Sequence, residues 1–221
     1  MTTAPDGSPI DLYLRLPSFG EADRIHALLP ADAAVLELGC GVGRVTHELV
    51  RLGHPVTAVD ESTEMLAHVV GAETVAARIE ELDLARRFPC VLLMSQLVNV
   101  RDDAQRRALL RVCVRHVTDD GVVLIERHEP DWQPVEGRRS ERDGVSFAFE
   151  DVRRTARTVA ATVRYDADGK TWRHSFTARL LDDDELDAQL RAVGLRLTRV
   201  LDERRTWVEA RPFRNAEAKL A

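Results

Sequence analysis

The chain has no C-x-x-C pair, and its three cysteines, Cys40, Cys90 and Cys113, are scattered and odd in number. That excludes a disulfide framework and a cysteine-built zinc site, and it reads as reduced thiols in a cytoplasmic protein. No second histidine follows His128-Glu129-Pro130 four residues on, so this is not a zincin motif and no metal is expected. No apolar run approaches the roughly 20 residues of a membrane span, so no membrane is expected as a partner. The opening MTTAPDGSP lacks a basic patch followed by an apolar stretch. It reads as a frayed terminus rather than a signal peptide. Positive charge is in deficit: the formal net charge of −6 argues against nucleic acid as a partner. Repeats and low-complexity segments are missing too. What remains is a chain of 221 residues, 44% of them hydrophobic, which suits one globular domain with a real core and room for an insertion.

Apolar spacing sets out an alternation of strands and helices. Residues 22–29 have helical spacing (Ala22, Ile25, Leu28, Leu29) and stop at Pro30. Residues 35–38 form a buried strand. Val45, Leu49 and Leu52 recur at helical spacing, with Gly53 at the C-terminal position. Residues 56–59 form a second strand, and Ser62 can cap a helix carrying Met65, Leu66, Val69 and Val70. Residues 74–77 form a weak third strand. CVLLMS, residues 90–95, is continuously apolar, as a central parallel strand is. A helix over 102–117 and a buried strand over 121–126 follow. Beyond Pro130 the pattern changes. Residues 132–145 read as a polar loop, and 155–165 and 172–180 alternate as the arms of a β-hairpin turning at Asp168-Gly169. A helix over 182–193 ends at Gly194, and strands over 195–201 and 205–210 close the chain. The expected fold is α/β: a doubly wound, mostly parallel seven-stranded sheet with an antiparallel β-hairpin insertion after strand five. Residues 20–130 form the core, 131–180 the insertion and 181–212 the closing helix and hairpin.

The motif with most chemistry is Glu37-Leu-Gly39-Cys-Gly41-Val-Gly43. It follows a strand and opens a helix. A glycine turn lets backbone approach a ligand closely, because no Cβ intervenes. Asp60 closes the next strand about 20 residues on, the interval of a ribose-binding carboxylate. The glycines alone could serve only tight strand–helix packing; the carboxylates point to an adenosine-containing ligand. NAD would bring a pyrophosphate to the helix N-terminus, and Glu37 would repel it. S-adenosylmethionine has no phosphate and carries a sulfonium and an ammonium, which Glu37 favours.

The segment LPADAAVLELGCGVGRVTHELVRLGHPVTAVDESTEML resembles the first motif region of the class I S-adenosylmethionine-dependent methyltransferases, in their small-molecule branch. VAARIEELDLARRFPCVLLMSQLVNV, RHVTDDGVVLIERHEPDW, LLDDDELDAQLRAVGLRLTRV and RTWVEARP resemble that family's later loops, strands and closing hairpin. The likeness covers residues 20–130 and 180–212. It implies S-adenosylmethionine as cofactor, with Glu37, Gly39, Gly41 and Gly43 along the methionine part and Cys40 supplying backbone. It implies that Asp60 holds the ribose, that Glu61 and Ser62 flank it, and that Met65 packs on the adenine, though a Met at such a position is equally a core residue. Ile79 and Glu80 would flank the adenine edge, and Gln96 would face methionine or substrate. Tyr13, in Tyr-Leu-Arg-Leu-Pro, would fold over the cofactor. Arg78 stands where the family often has Asp for the adenine amino group.

Methyl transfer needs a general base only if the acceptor must lose a proton. Beyond the strand ends stand Gln96, Asn99, His128 and Glu129, with His128 the choice for a base and Glu129 beside it. The other reading of His128 is a strand-end residue bonded to a backbone carbonyl. Trp132, Phe147, Phe149, Trp172 and Phe176 would line an apolar acceptor site or form the hairpin's own core. The insertion itself would cover the acceptor or serve as a dimerisation edge, so a homodimer is allowed. The Asn/Asp-Pro-Pro-aromatic run of nucleic-acid amino methyltransferases is absent, which favours a small-molecule acceptor. An NAD(P)-dependent oxidoreductase and a non-catalytic S-adenosylmethionine-binding module are the alternatives.

Overall fold

Four continuously buried residues, Val35–Leu38, make β1, and the chain builds outward from that strand. The computed structural model describes residues 3–4 and 7–213. β1 pairs in parallel with β2 (Val56–Asp60) on one side and β4 (Phe88–Leu93) on the other. β3 (Glu73–Ala76) extends the sheet beyond β2. β5 (Val117–Glu126) lies parallel beside β4, and β11 (Trp207–Pro212) and β10 (Leu195–Val200) follow, antiparallel. The order is β10-β11-β5-β4-β1-β2-β3, the seven-stranded doubly wound sheet expected from the sequence.

Burial explains the continuous apolar runs. Val35, Cys90, Leu92 and Leu124 face α2 (Glu21–Leu28) and α3 (Arg44–Arg51), sharing a core with Ile25 and Leu49. Leu36, Leu38, Val91, Leu93 and Ile125 face α5 (Asp103–His116) and α6 (Asp183–Arg191), packing on Leu110, Leu186 and Leu190. Each such leucine is worth roughly 1.5–3 kcal/mol of burial. Asp102 and Asp182 cap α5 and α6 by accepting from the backbone N–H of Gln105 and Glu185. The acidic start of α6 also carries a buried ion pair. Asp183 pairs with Arg127, whose side chain is wholly buried, and with Arg205. All three cysteines are free and buried.

Three expectations are revised. The helix after Ser62 is a single turn, α4 (Thr63–Leu66), capped by the Ser62 hydroxyl; Val70 is exposed and cannot anchor a second turn. The expected hairpin is present, but it is half of a separate four-stranded antiparallel sheet, β6-β7-β8-β9. Part of the supposed polar loop is β6 (Arg139–Arg142), and β7 (Val145–Arg154) precedes the hairpin of β8 (Thr158–Ala167) and β9 (Lys170–Arg179). A bulge at Asp151, φ +54°, breaks the alternation of β7 and hides it from a period-two reading. The opening segment is not frayed where it is described. Ala4 is buried and clusters with Ile10, Val42 and Met65, and Thr3 bridges Pro9. Residues 1, 2, 5 and 6 lie outside the described residues.

Candidate active site

The second sheet sits over the carboxyl ends of β1, β4 and β5, where an open α/β sheet presents its ligand site. Between them lies a cavity of about 580 Å³. Its floor is Glu37, Gly39, Cys40 and Gly41 from the β1 turn. One side is Met94 to Leu97, Glu126 and His128 from the β4 and β5 exits. The roof is Trp132, Phe147, Phe149, Tyr165, His174 and Phe176 from the insertion. Tyr13, Leu16, Pro17 and Phe19 close it from the N-terminal segment.

The turn is built around Glu37 and Asp60. Glu37 is buried, 3% exposed, and accepts a hydrogen bond from Thr46 Oγ1 at 2.5 Å. Burial pushes its carboxyl up to about 7, against the pull of the Thr46 hydroxyl and the nearby Arg44 charge. Asp60 receives the Gly41 N–H at 2.9 Å on one oxygen and the Ser62 N–H at 2.9 Å on the other. Each oxygen retains acceptor capacity for a ribose hydroxyl. Gly39 has φ +76°, and a Cβ there would fall 2.9 Å from Leu97 Cδ1. Position 39 therefore needs a glycine for its conformation, and a Cβ there would in addition push the end of the Leu97 side chain aside. Gly43 has a different reason. It does not line the cavity; it starts α3 at φ +86°, where a Cβ would strike the His47 ring.

The sequence-derived residues fall into three groups. Tyr13, Glu37, Gly39, Cys40, Gly41, Gln96 and His128 share the cavity wall. Asp60, Glu61, Ser62, Met65, Ile79 and Glu80 sit beside it along the β2 and β3 exits, with Ser62 and Met65 buried, Glu61 exposed, and Glu80 accepting from Gln105. Glu129 stands apart. It pairs with Arg204 and lines a second crevice, for which Trp132 forms a shared wall. Asn99 is a clamp rather than a base: its Oδ1 accepts the His128 N–H at 2.9 Å and its Nδ2 donates to the Arg179 carbonyl at 2.7 Å. His128 stacks on Trp132, ring centres 4.1 Å apart and planes nearly parallel, with Phe176 at 6.0 Å. Burial lowers its pKa to about 4, so it is neutral across the neutral range. Trp172 does not line the cavity; it packs with Leu12 and Val145, while the other four aromatics face inward.

Several residues of the site carried weaker signals. Thr46 lies in the first turn of α3, placed to reach back to Glu37. Glu126 ends a continuous apolar strand, the same signal that marks Asp60. Glu21 and Arg44, paired at 2.5 Å, tie α2 to α3, and Glu21 also accepts the Phe19 N–H. Ser95 and Gln96 both have positive φ, +53° and +57°, which turns the chain sharply out of β4 into the cavity.

The residues fit S-adenosylmethionine on the site's own chemistry. The buried Glu37 carboxyl lines the cavity, Gly39 and Gly41 of the β1 turn hold positive φ and present bare backbone to it, and Asp60 offers acceptors at the second strand's end.

Residues 35–121 match the family model of the methyltransferase domain. Among curated proteins, the ubiquinone biosynthesis O-methyltransferase of Xanthomonas oryzae pv. oryzae strain PXO99A is 33% identical over 128 residues, covering 48% of this chain and 52% of that protein. The Bradyrhizobium diazoefficiens protein of the same name is 27% identical over 107 residues, 45% of this chain and 41% of its own. The chain thus spans about half the length of the curated relatives it matches. Among solved structures, the sugar N-methyltransferase KedS8 from Streptoalloteichus sp ATCC 53650 superposes with a TM-score of 0.75 at 20% identity, covering 96% of each chain. An S-adenosylmethionine-dependent methyltransferase from Clostridium acetobutylicum ATCC 824 gives 0.71 at 15% identity, covering 90% of this chain and 92% of that one. Residues 35–121 are thus similar to a methyltransferase domain, and the chain as a whole shares the fold of these solved methyltransferases. Among the described residues no helix is long and apolar enough to cross a membrane.

Proposed function

We propose that the protein transfers a methyl group from S-adenosylmethionine to an oxygen or nitrogen atom of a small molecule. The observation that carries this is one cavity with two chemistries: the Glu37–Gly41 turn on one side and the aromatic face of the second sheet on the other. The cofactor supplies an already activated methyl group. Glu37 and the β1 turn hold its methionine end, Asp60 its ribose, and Met65, Ile79 and Glu80 its adenine. Tyr13 covers the cofactor from the N-terminal segment. Trp132, Phe147, Phe149 and Phe176 exclude water and align the acceptor for in-line attack, which is the main service such a reaction needs. His128, neutral at working pH, faces the acceptor as a weak proton acceptor, while Glu129 is held by Arg204 in the neighbouring crevice and takes no part. The names of the relatives and structural neighbours, O-directed in one set and N-directed in the other, support a small acceptor of either kind. The acidic balance supports an acceptor other than nucleic acid, and the buried free thiols support a cytoplasmic setting. A homodimer through β6 or β9, the outer strands of the second sheet, is the arrangement to test by sedimentation.

Calorimetric titration with S-adenosylhomocysteine and with NADH tests the reading. Micromolar binding of the first and none of the second is expected. Binding of NADH alone would refute it. Release of S-adenosylhomocysteine from a small-acceptor panel then separates an enzyme from a binding module.

A further inference from the structure

Glu126 has no task in that account. It closes β5, is half-buried in the cavity wall, and forms no ion pair among the described residues. Its hydrogen bond is from the Ser95 N–H, at 2.9 Å to one oxygen. The other two carboxylates of the wall are engaged: Glu21 by Arg44 and the Phe19 N–H, and Glu37 by Thr46 on the cofactor side. The wall's two arginines are occupied as well. Arg44 and Arg142 lie over the Phe19 ring, 5.6 and 4.8 Å from its centre. Burial first, and then the Glu21 charge, push the Glu126 carboxyl up, while the Ser95 N–H, Arg44 and Arg24 hold it down.

We propose that the acceptor is an amine that enters as an ammonium ion, and that Glu126 binds its nitrogen and accepts its proton before methyl transfer. This rests on the methyltransferase reading above. A half-buried carboxylate without a direct ion pair is costly to ionise, and an incoming cation reduces that cost. The aromatic roof suits the same guest, because ring faces attract cations, and neutral His128 adds no repulsion. An anionic acceptor would meet Glu126 across a low-dielectric gap, and a neutral hydroxyl would leave it unpaired. An ammonium has no lone pair, so it must lose a proton before it can attack. That proton passes to Glu126. The freed lone pair then forms the nitrogen–carbon bond while the carbon–sulfur bond breaks, its electrons going to sulfur, which leaves as a neutral thioether. The product is a methylated ammonium, and Glu126 returns its proton to solvent.

The test is calorimetry on protein saturated with S-adenosylhomocysteine, titrated with benzylamine and with benzyl alcohol at neutral pH. The wild type should hold the amine at least about tenfold more tightly, the size of one charge-assisted hydrogen bond. Glu126→Gln keeps an acceptor for the Ser95 N–H and should bring the two ligands within about threefold of each other. Equal binding of the two by the wild type, which needs no variant, would overturn the proposal. So would a preference that survives in Glu126→Gln. Tyramine gives a second readout, since it offers an amine and a phenol on one molecule: N-methylation supports the proposal and O-methylation refutes it. Failure to bind S-adenosylhomocysteine at all is a separate outcome, which removes the underlying reading and this inference with it.

Discussion

Replacing Glu37 with glutamine should make the protein more stable and its cofactor site worse. Glu37 titrates near 4.5 in an unfolded chain and near 7 in the fold, because burial disfavours its charge. Each pKa unit is worth about 1.4 kcal/mol, so ionising Glu37 costs the cofactor-free protein about 3 kcal/mol. The sign follows from proton uptake. Between pH 4.5 and about 7 the folded state binds more protons than the unfolded one, so stability falls as pH rises through that window. Glutamine keeps an oxygen for the Thr46 hydroxyl and has no charge to bury. At about pH 8 the variant should therefore melt about 5–10 °C higher than the wild type, and near pH 4 the two should coincide. Binding runs the other way. The lost carboxylate contact to a cationic ligand is worth about 1.5–3 kcal/mol, so S-adenosylhomocysteine should bind about ten- to a hundredfold more weakly at pH 8. The deficit should shrink below pH 7, where the wild type also carries a neutral Glu37. Melting curves and calorimetry across that range decide it. A variant less stable than the wild type at pH 8, or one with unchanged affinity, would refute the reasoning.

Asp60→Ala removes both ribose acceptors and frees the Gly41 and Ser62 N–H groups, so calorimetry should show affinity for S-adenosylhomocysteine reduced by at least about a hundredfold. Asp183→Ala leaves the wholly buried Arg127 guanidinium without its carboxylate, and chemical denaturation should show a loss of about 3 kcal/mol or more. His128→Phe keeps the ring stack but removes a buried titrating group. Because the folded pKa of about 4 lies below the ordinary value of 6.5, the wild type should lose stability as pH falls through that interval, and the variant should lose less; acid-unfolding curves check this.

The sheet was readable from the sequence because burial is total there. Residues Cys90–Met94 are apolar on both faces, which only a central strand tolerates, and the helices between strands announce themselves through Ser62, Asp102 and Asp182 as caps. The glycine turn was readable because backbone conformation and close approach leave few residue choices at Gly39. The second sheet was half-hidden, since β6 is exposed along its whole length and the Asp151 bulge puts β7 out of phase. Likewise, nothing in the sequence links Arg127 to Asp183; only the fold brings them together across 56 positions. Long-range ion pairs leave no periodic mark, and neither does a carboxylate such as Glu126 whose meaning depends on the roof above it.

Asn99 gives the two sheets a common fastening. One buried amide holds the β5 exit through the His128 N–H and the β9 exit through the Arg179 carbonyl, while its own backbone belongs to the turn leaving β4. The roof is therefore exchangeable only along particular seams. A graft that replaces residues between His128 and Arg179 with another insertion can change which acceptor is admitted, provided both junctions still present an N–H and a carbonyl to Asn99. A graft cut inside those seams, even by one residue, would set the new roof at the wrong height above the methyl group.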